Sequence, residues 1–295
     1  DQVRVFPGAV GQYRVRFPHI ASTRGVAHVT AVAGDARWCQ IINTVSVGFD
    51  QDVNVQCYRH GGVPVNSRFT VMYSTSSGAP LAGGAYANLH AHMLGGVIHS
   101  YNSAGGINLV SRAAVGVYRV RLPGISTGVI DGNIQVTAAQ PNLAPRRCKV
   151  ANWVPGAGGH DLVVYCFNQF NAPADSWFYL TYQRKRAVFG GLNPPLNLAY
   201  LWLPGLGGPS DYNSQGGVNS VISAGVGQYL VRFPRVAVRE GHVQVTAFGP
   251  APDYCHLQEV WAYSGPDVIV RNVICFNAAG VQAPNRFFVT FTSRV

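Results

Sequence analysis

The chain repeats itself three times, and the repeat decides most of what it can fold into. Gly11-Gln-Tyr-Arg-Val-Arg-Phe-Pro18 returns as Gly116-Val-Tyr-Arg-Val-Arg-Leu-Pro123 and again as Gly227-Gln-Tyr-Leu-Val-Arg-Phe-Pro234. His28-Val-Thr-Ala31 is followed in the later copies by Gln135-Val-Thr-Ala138 and Gln244-Val-Thr-Ala247. Two cysteines come next in each copy: Cys39 and Cys57, Cys148 and Cys166, Cys255 and Cys275. Each copy then closes on a β-rich run beginning at Phe69, Phe178 or Phe287. Corresponding cysteines stand 107 or 109 residues apart, so the unit is about 109 residues long.

Within the unit the apolar period is two. Tyr13, Val15 and Phe17 alternate with Arg14 and Arg16, and Val53, Val55 and Cys57 alternate with Asn54 and Gln56. Leu162, Val164 and Cys166 follow the same rule. No segment carries the 3.6-residue period of an amphipathic helix. With 34 glycines and 18 prolines to supply turns, the sequence predicts an all-β chain. It divides into three tandem antiparallel β-sandwich domains, immunoglobulin-like in architecture, over residues 1–82, 83–190 and 191–295.

Six cysteines at two per copy predict one disulfide per unit. The midpoints of the three pairs are Gly48, position 157 within Pro155-Gly-Ala-Gly-Gly159, and Gly265. Each pair is therefore centred on a glycine-bearing turn, as two cysteines facing each other across a β-hairpin require. Closing a loop of that size is worth about 3 kcal/mol by chain entropy. The rival reading, a zinc site, needs four converging ligands, and no Cys-x-x-Cys pair or recurring histidine supplies them. The cysteines are too close in sequence for the inter-sheet bridge of a true immunoglobulin domain. Disulfides imply an oxidising setting, so the expected location is extracellular or at the cell surface. No apolar run approaches the ~20 residues of a spanning helix, so no membrane span is expected. The chain opens on Asp1 without an initiator methionine, the mark of a processed or trimmed product.

The copies are unequal. The second and third carry a leader ahead of the shared core, Ala85-Tyr-Ala-Asn-Leu89 and Leu198-Ala-Tyr-Leu-Trp202, each followed by Tyr-Asn-Ser-x-Gly-Gly at 101–106 or 212–217. The first copy has no counterpart. Three cores share two leader strands, so one core lacks a strand and leaves an unpaired sheet edge near the N-terminus. Such an edge is a template for association. Self-association through it is the first partner expected.

Charged residues make up 12% of the chain, about half the ordinary share, yet the net charge is +10 and nearly all of it is arginine. Arg14, Arg16, Arg119, Arg121 and Arg232 fall on the outward positions of equivalent strands. That stripe either docks an anionic polysaccharide or is a solvated face that keeps an exposed sheet soluble. Nucleic acid is not an expected partner, because no recognised binding module is present. His90 and His92 share one side of a strand, with His99 close by, and form the one metal-like cluster. The other copies lack it, so the competing reading is three solvated or hydrogen-bonded histidines. No hydrolase elbow, zinc-protease helix or phosphate loop occurs, and no carboxylate recurs in all three copies. The expectation is a chain that is not an enzyme and needs no cofactor.

The combined pattern of leader, Tyr-Asn-Ser-x-Gly-Gly, Gly-x-Tyr-x-Val-Arg-Phe-Pro, Val-Thr-Ala and Cys-Phe-Asn resembles tandem disulfide-containing β repeats in secreted proteins of high-GC bacteria, of the actinomycete and myxobacterial type. That resemblance spans nearly the whole chain and implies a compartment and a repeat, with no activity. The first copy departs from it in lacking the leader and in reading Cys57-Tyr-Arg59. The function expected is a secreted, non-catalytic structural, adhesive or self-assembling role. The alternative is an extracellular binding or inhibitory module for an anionic glycan, a wall polymer or a protease.

Overall fold

A computed structural model describes residues 2–75, 83–156, 158–188, 197–204 and 210–293. The domain boundaries expected near 82 and 190, and the turn position 157, lie outside them. The described residues are all β. Repeat 1 supplies β1 (Arg4–Pro7), β2 (Gln12–Phe17), β3 (Gly25–Val32), β4 (Arg37–Val47), β5 (Asp50–Arg59), β6 (Val63–Pro64) and β7 (Arg68–Thr75). Repeat 2 supplies β8 (Ala85–Ala91), β9 (Val97–Asn102), β10 (Leu109–Ala114), β11 (Val117–Pro123), β12 (Asn133–Ala139), β13 (Arg146–Gly156), β14 (Gly159–Asn168) and β15 (Trp177–Arg184). Repeat 3 supplies β16 (Leu198–Leu203), β17 (Ser210–Asn213), β18 (Ser220–Gly225), β19 (Gln228–Phe233), β20 (Gly241–Phe248), β21 (Tyr254–Leu257), β22 (Ala262–Ser264), β23 (Asp267–Phe276) and β24 (Arg286–Ser293).

Each repeat is a sandwich, but its two sheets do not belong to it alone. The first sheet runs β1-β2-β5-β4-β12-β15-β8-β9, with β6 beside β5, and joins half of repeat 1 to half of repeat 2. The second, β10-β11-β14-β13-β20-β24-β16-β17, joins repeats 2 and 3. The third, β18-β19-β23-β21-β3-β7 with β22 beside β23, joins repeat 3 back to repeat 1. The three junctions are parallel and equivalent: Ile41 meets Ala139, Val150 meets Phe248, and Leu257 meets Val32. Every first member lies two residues after its repeat's first cysteine. The repeats thus close into a ring with approximate three-fold symmetry.

This arrangement explains why β3, β12 and β20 are buried along nearly their whole length. One face of each, Ala27, Val29 and Ala31 and their counterparts, packs into its own sandwich core. The other face, carrying His28 and Thr30, Gln135 and Thr137, or Gln244 and Thr246, turns to the ring axis.

The disulfides are where the cysteine midpoints put them. Cys39 faces Cys57, Cys148 faces Cys166 and Cys255 faces Cys275 in antiparallel register, with Cα atoms 4.0, 4.1 and 4.1 Å apart. The N–H of the second cysteine in each pair donates away from its partner, to Gly11, Gly116 or Gly227. The pair is therefore of the close, non-hydrogen-bonded kind. Those three glycines lie at φ between 66° and 74°, and a Cβ on Gly116 would sit 2.5 Å from the Cys166 carbonyl oxygen, so the turn that presents the acceptor admits no side chain.

The recurring tyrosine is fixed as regularly. Tyr13, Tyr118 and Tyr229 pack on Phe69, Phe178 and Phe287 with ring centroids 5.0, 5.2 and 5.1 Å apart. Their hydroxyls accept from the backbone N–H of Ser67, Ser176 and Asn285, which ties β2, β11 and β19 to the approach of the closing strand.

Candidate functional site: an uncovered sandwich

The five arginines picked from the sequence do share equivalent strands, but most are engaged internally. Arg16 makes two bonds to the Asp52 carboxylate, Arg121 pairs with Asp161, and Arg232 pairs with Asp267. Arg14 lies 4.6 Å over the Phe6 ring. An aspartate therefore pairs with the stripe in every copy, though not at one recurring position. Asp52 and Asp161 stand directly opposite Arg16 and Arg121, whereas Ile269 stands opposite Arg232 and Asp267 lies two residues before it on β23. Arg16 holds the Asp52 carboxyl below the usual carboxylate range by direct hydrogen bonds, and the Arg235 backbone N–H, with the Arg232 guanidinium, does the same for Asp267.

The histidines do not close on one point. His90 and His99 face each other across β8 and β9 with ring centroids 5.3 Å apart, whereas His92 packs against Trp177 at 5.6 Å. His90 also lies 4.4 Å from the Tyr179 ring, and its burial pushes its pKa down to about 3. Among the described residues no group of three or more His, Cys, Asp or Glu side chains is placed to hold a metal.

Two polar features at the ring axis were not singled out from sequence. The first is a cycle of threonines. Thr30 donates to Gln244, Thr246 donates to Gln135, and His28 Nδ1 lies 3.0 Å from Thr137 Oγ1. His28 Nε2 is 3.1 Å from Thr181, and burial drives this histidine's pKa to about 3. The second cycle uses the residues flanking the first cysteines. Gln40 donates to the Ala144 carbonyl, Lys149 to that of Asp253, and His256 Nε2 lies 3.1 Å from that of Asp35. Each links one repeat to a loop of the next. In the preceding positions, the Arg147 guanidinium sits 4.7 Å from the Trp38 ring and 4.6 Å from that of Tyr254. Trp38, Arg147, Lys149, Tyr254 and His256 are among the groups that line a cavity of about 60 Å³. The sequence signal was present: a polar residue recurs before every Val-Thr-Ala run.

The feature that sets one repeat apart is a missing cover. In repeat 2 the leader strand β8 pairs with β15 from Ala85 opposite Arg184 to Ala91 opposite Phe178. In repeat 3, β16 pairs with β24 in the same antiparallel sense. One face of each leader joins the sandwich core: Ala85, Ala87, Leu89 and Ala91, or Ala199 and Leu201. The Tyr-Asn-Ser motif then locks the hairpin, since Asn102 and Asn213 donate to the Pro123 and Pro234 carbonyls and to Asn108 and Asn219. The equivalent of β15 and β24 in repeat 1 is β7, which pairs with β3 and with no other described strand. The consequence is exposure of the core. Val5, the counterpart of Val110, is 54% exposed against 8%. Phe69 and Val71 are half-buried where Phe178 and Leu180 are fully enclosed. Among the described residues nothing covers repeat 1 along the line that a leader covers in its siblings.

The three disulfides mark an oxidising environment. No helix among the described residues is long and apolar enough to cross a membrane. Set against family models, curated proteins and solved structures, the chain matches none.

Proposed function

We propose that the chain is a secreted or surface-exposed, non-catalytic structural module that self-assembles through the open edge of repeat 1. One observation carries this reading: among the described strands β7 pairs with β3 alone, while both of its counterparts are capped by a hairpin. An uncapped edge beside a partly exposed apolar core gains from strand addition twice, through backbone hydrogen bonds and through burial. The rest of the molecule favours persistence over chemistry. Recurring polar residues are spent on internal links between strands and repeats, and cross-hairpin disulfides clip each unit. The anionic-glycan reading draws less support, because Arg16, Arg121 and Arg232 already have carboxylate partners.

Light scattering and electron microscopy of the purified chain over a wide concentration range test the proposal. Concentration-dependent association that is lost on placing a lysine at Val5 is expected. A monomer at every concentration would rule out self-assembly.

A further inference from the structure

We infer that the axial cavity of about 60 Å³ is a binding site for one small monovalent anion of the chloride type, held by Arg147, Lys149 and Trp38. This site stands whether or not the chain associates through repeat 1.

The balance of charge calls for an anion. Among the described residues the cavity wall carries three cationic side chains, Arg146, Arg147 and Lys149, against one acidic residue, Asp253. Burial keeps His256 neutral there, its pKa pushed down to about 4. Arg147 and Lys149 are 7% and 4% exposed, and taking an ion out of water without a counter-ion is costly. The bonds they make go to neutral acceptors. Arg147 Nη2 donates to Asn171 Oδ1 at 2.6 Å and to the Pro252 carbonyl at 3.1 Å, and Lys149 Nζ donates to the Asp253 carbonyl. The Asp253 carboxylate favours both charged forms through space, but burial outweighs it and draws Arg147 down to about 10 and Lys149 to about 7. A bound anion supplies the missing negative charge and favours the ammonium. The low pKa of Lys149 therefore belongs to the anion-free chain.

Unused donors point the same way. Nε and Nη1 of Arg147 and Nε1 of Trp38 are buried and meet no hydrogen-bond acceptor among the described residues. These groups can only donate. Two threonine oxygens on the same wall are already taken, since Thr30 Oγ1 accepts from the Val245 N–H and Thr246 Oγ1 from that of Val136. A water molecule accepts two N–H groups but must then place its own two hydrogens, whereas an anion accepts from every side and donates nothing. Size narrows the class. At ~30 Å³ per water the cavity takes about two, which suits a halide and excludes a sugar ring. Val29, Ala31, Val136 and Ala138 add apolar wall, against which a doubly charged ion loses more hydration than a singly charged one.

The cations belong to repeat 2 alone. Their counterparts are Trp38 and Gln40 in repeat 1 and Tyr254 and His256 in repeat 3. One anion per chain is therefore expected, held off-centre on the side of β13.

Thermal denaturation of the whole chain in sodium chloride, against sodium gluconate at equal ionic strength, tests the site, because gluconate is too large to enter. The midpoint should rise with chloride concentration by mass action. In Arg147→Gln and Lys149→Gln the chloride affinity should fall about tenfold or more. Lys149→Gln installs the side chain that repeat 1 uses at this position, so it remains informative if Arg147→Gln does not fold. Bromide in place of chloride locates the ion by anomalous scattering, and is expected in contact with Arg147. Equal midpoints in the two salts would overturn the proposal and leave the cavity to water. A chloride response as large in the variants as in the parent would put the anion elsewhere and overturn this site. Bromide seen at the cavity without any chloride effect on the midpoint would be binding at crystal concentration only, which also overturns it.

Discussion

Val5 and Val110 occupy the same place in their repeats, opposite Val15 and Val120 across the first hairpin, yet one is 54% exposed and the other 8%. The local sequence does not cause this difference. Val110 lies under a leader hairpin and Val5 does not. A charge at the two positions should therefore have unequal effects on the free chain. Val110→Lys buries an ammonium under β8 and is expected to cost about 3 kcal/mol, whereas Val5→Lys should stay within about 0.5 kcal/mol. Urea denaturation of the two variants decides the matter. Equal losses would mean that Val5 is covered in solution.

Much of this fold could be read from the chain, and what could not has a physical explanation. Hairpin disulfides follow from a midpoint rule, because a cross-strand pair must straddle its own turn. That the described strands hold two leaders for three cores follows from counting segments. Sharing of sheets between repeats left no comparable trace, since each junction is a single parallel bridge such as Ile41 to Ala139, and a bridge of that size imposes no period on sequence. The burial of both faces of β3 was encoded more quietly. Alternation of valine and alanine with His28 and Thr30 looks like a half-exposed strand, and the ring converts its polar face into an interior. Asp267 breaks the period, because it lies eight residues before Cys275 where Asp52 and Asp161 lie five before Cys57 and Cys166.

The disulfides should contribute stability mainly through the unfolded chain. Replacing both Cys148 and Cys166 by alanine opens a loop with a sequence separation of 18, for an expected loss of about 3 kcal/mol. Thermal denaturation of the double variant beside the parent measures it. Because each sheet spans two repeats, the loss should appear in one cooperative transition. A separate early transition confined to repeat 2 would show that the ring does not couple the units.

Acid should weaken the ring axis. His28 is fully buried, and its folded pKa of about 3 lies well below its ordinary value of 6.5. A group depressed in this way contributes stability that is complete above pH 6.5 and is lost as pH falls toward 3, because the unfolded chain takes up the proton first. At pH 4.5 the loss from His28 is about 3 kcal/mol. The siblings carry Gln135 and Gln244 at this position, so His28→Gln keeps a side chain the axis already tolerates. That variant should match the parent within about 1 kcal/mol at neutral pH and lose less stability on acidification. Parallel pH–stability curves for the two proteins would exclude His28 as the group responsible.

Lys149 should act at the opposite end of the pH range. Its side chain is buried beside the Arg147 stack, it donates 3.1 Å to the Asp253 carbonyl, and burial lowers its pKa from 10.5 to about 7. Arg147 and Arg286 push in the same direction, and the Asp253 carboxylate opposes them. Between pH 7 and 10.5 the unfolded chain holds a proton at this lysine that the folded chain has largely released, so stability rises with pH across that window and falls again on return to 7. Over the step from pH 7 to pH 9 the gain is about 2 kcal/mol. Repeat 1 places Gln40 at the equivalent position, where its amide also bonds to a loop carbonyl of the next repeat. Lys149→Gln should therefore retain the link between repeats while flattening the stability curve above pH 7. Urea midpoints at pH 7 and pH 9 for parent and variant measure the difference directly, and an equal rise in both would remove Lys149 as its cause.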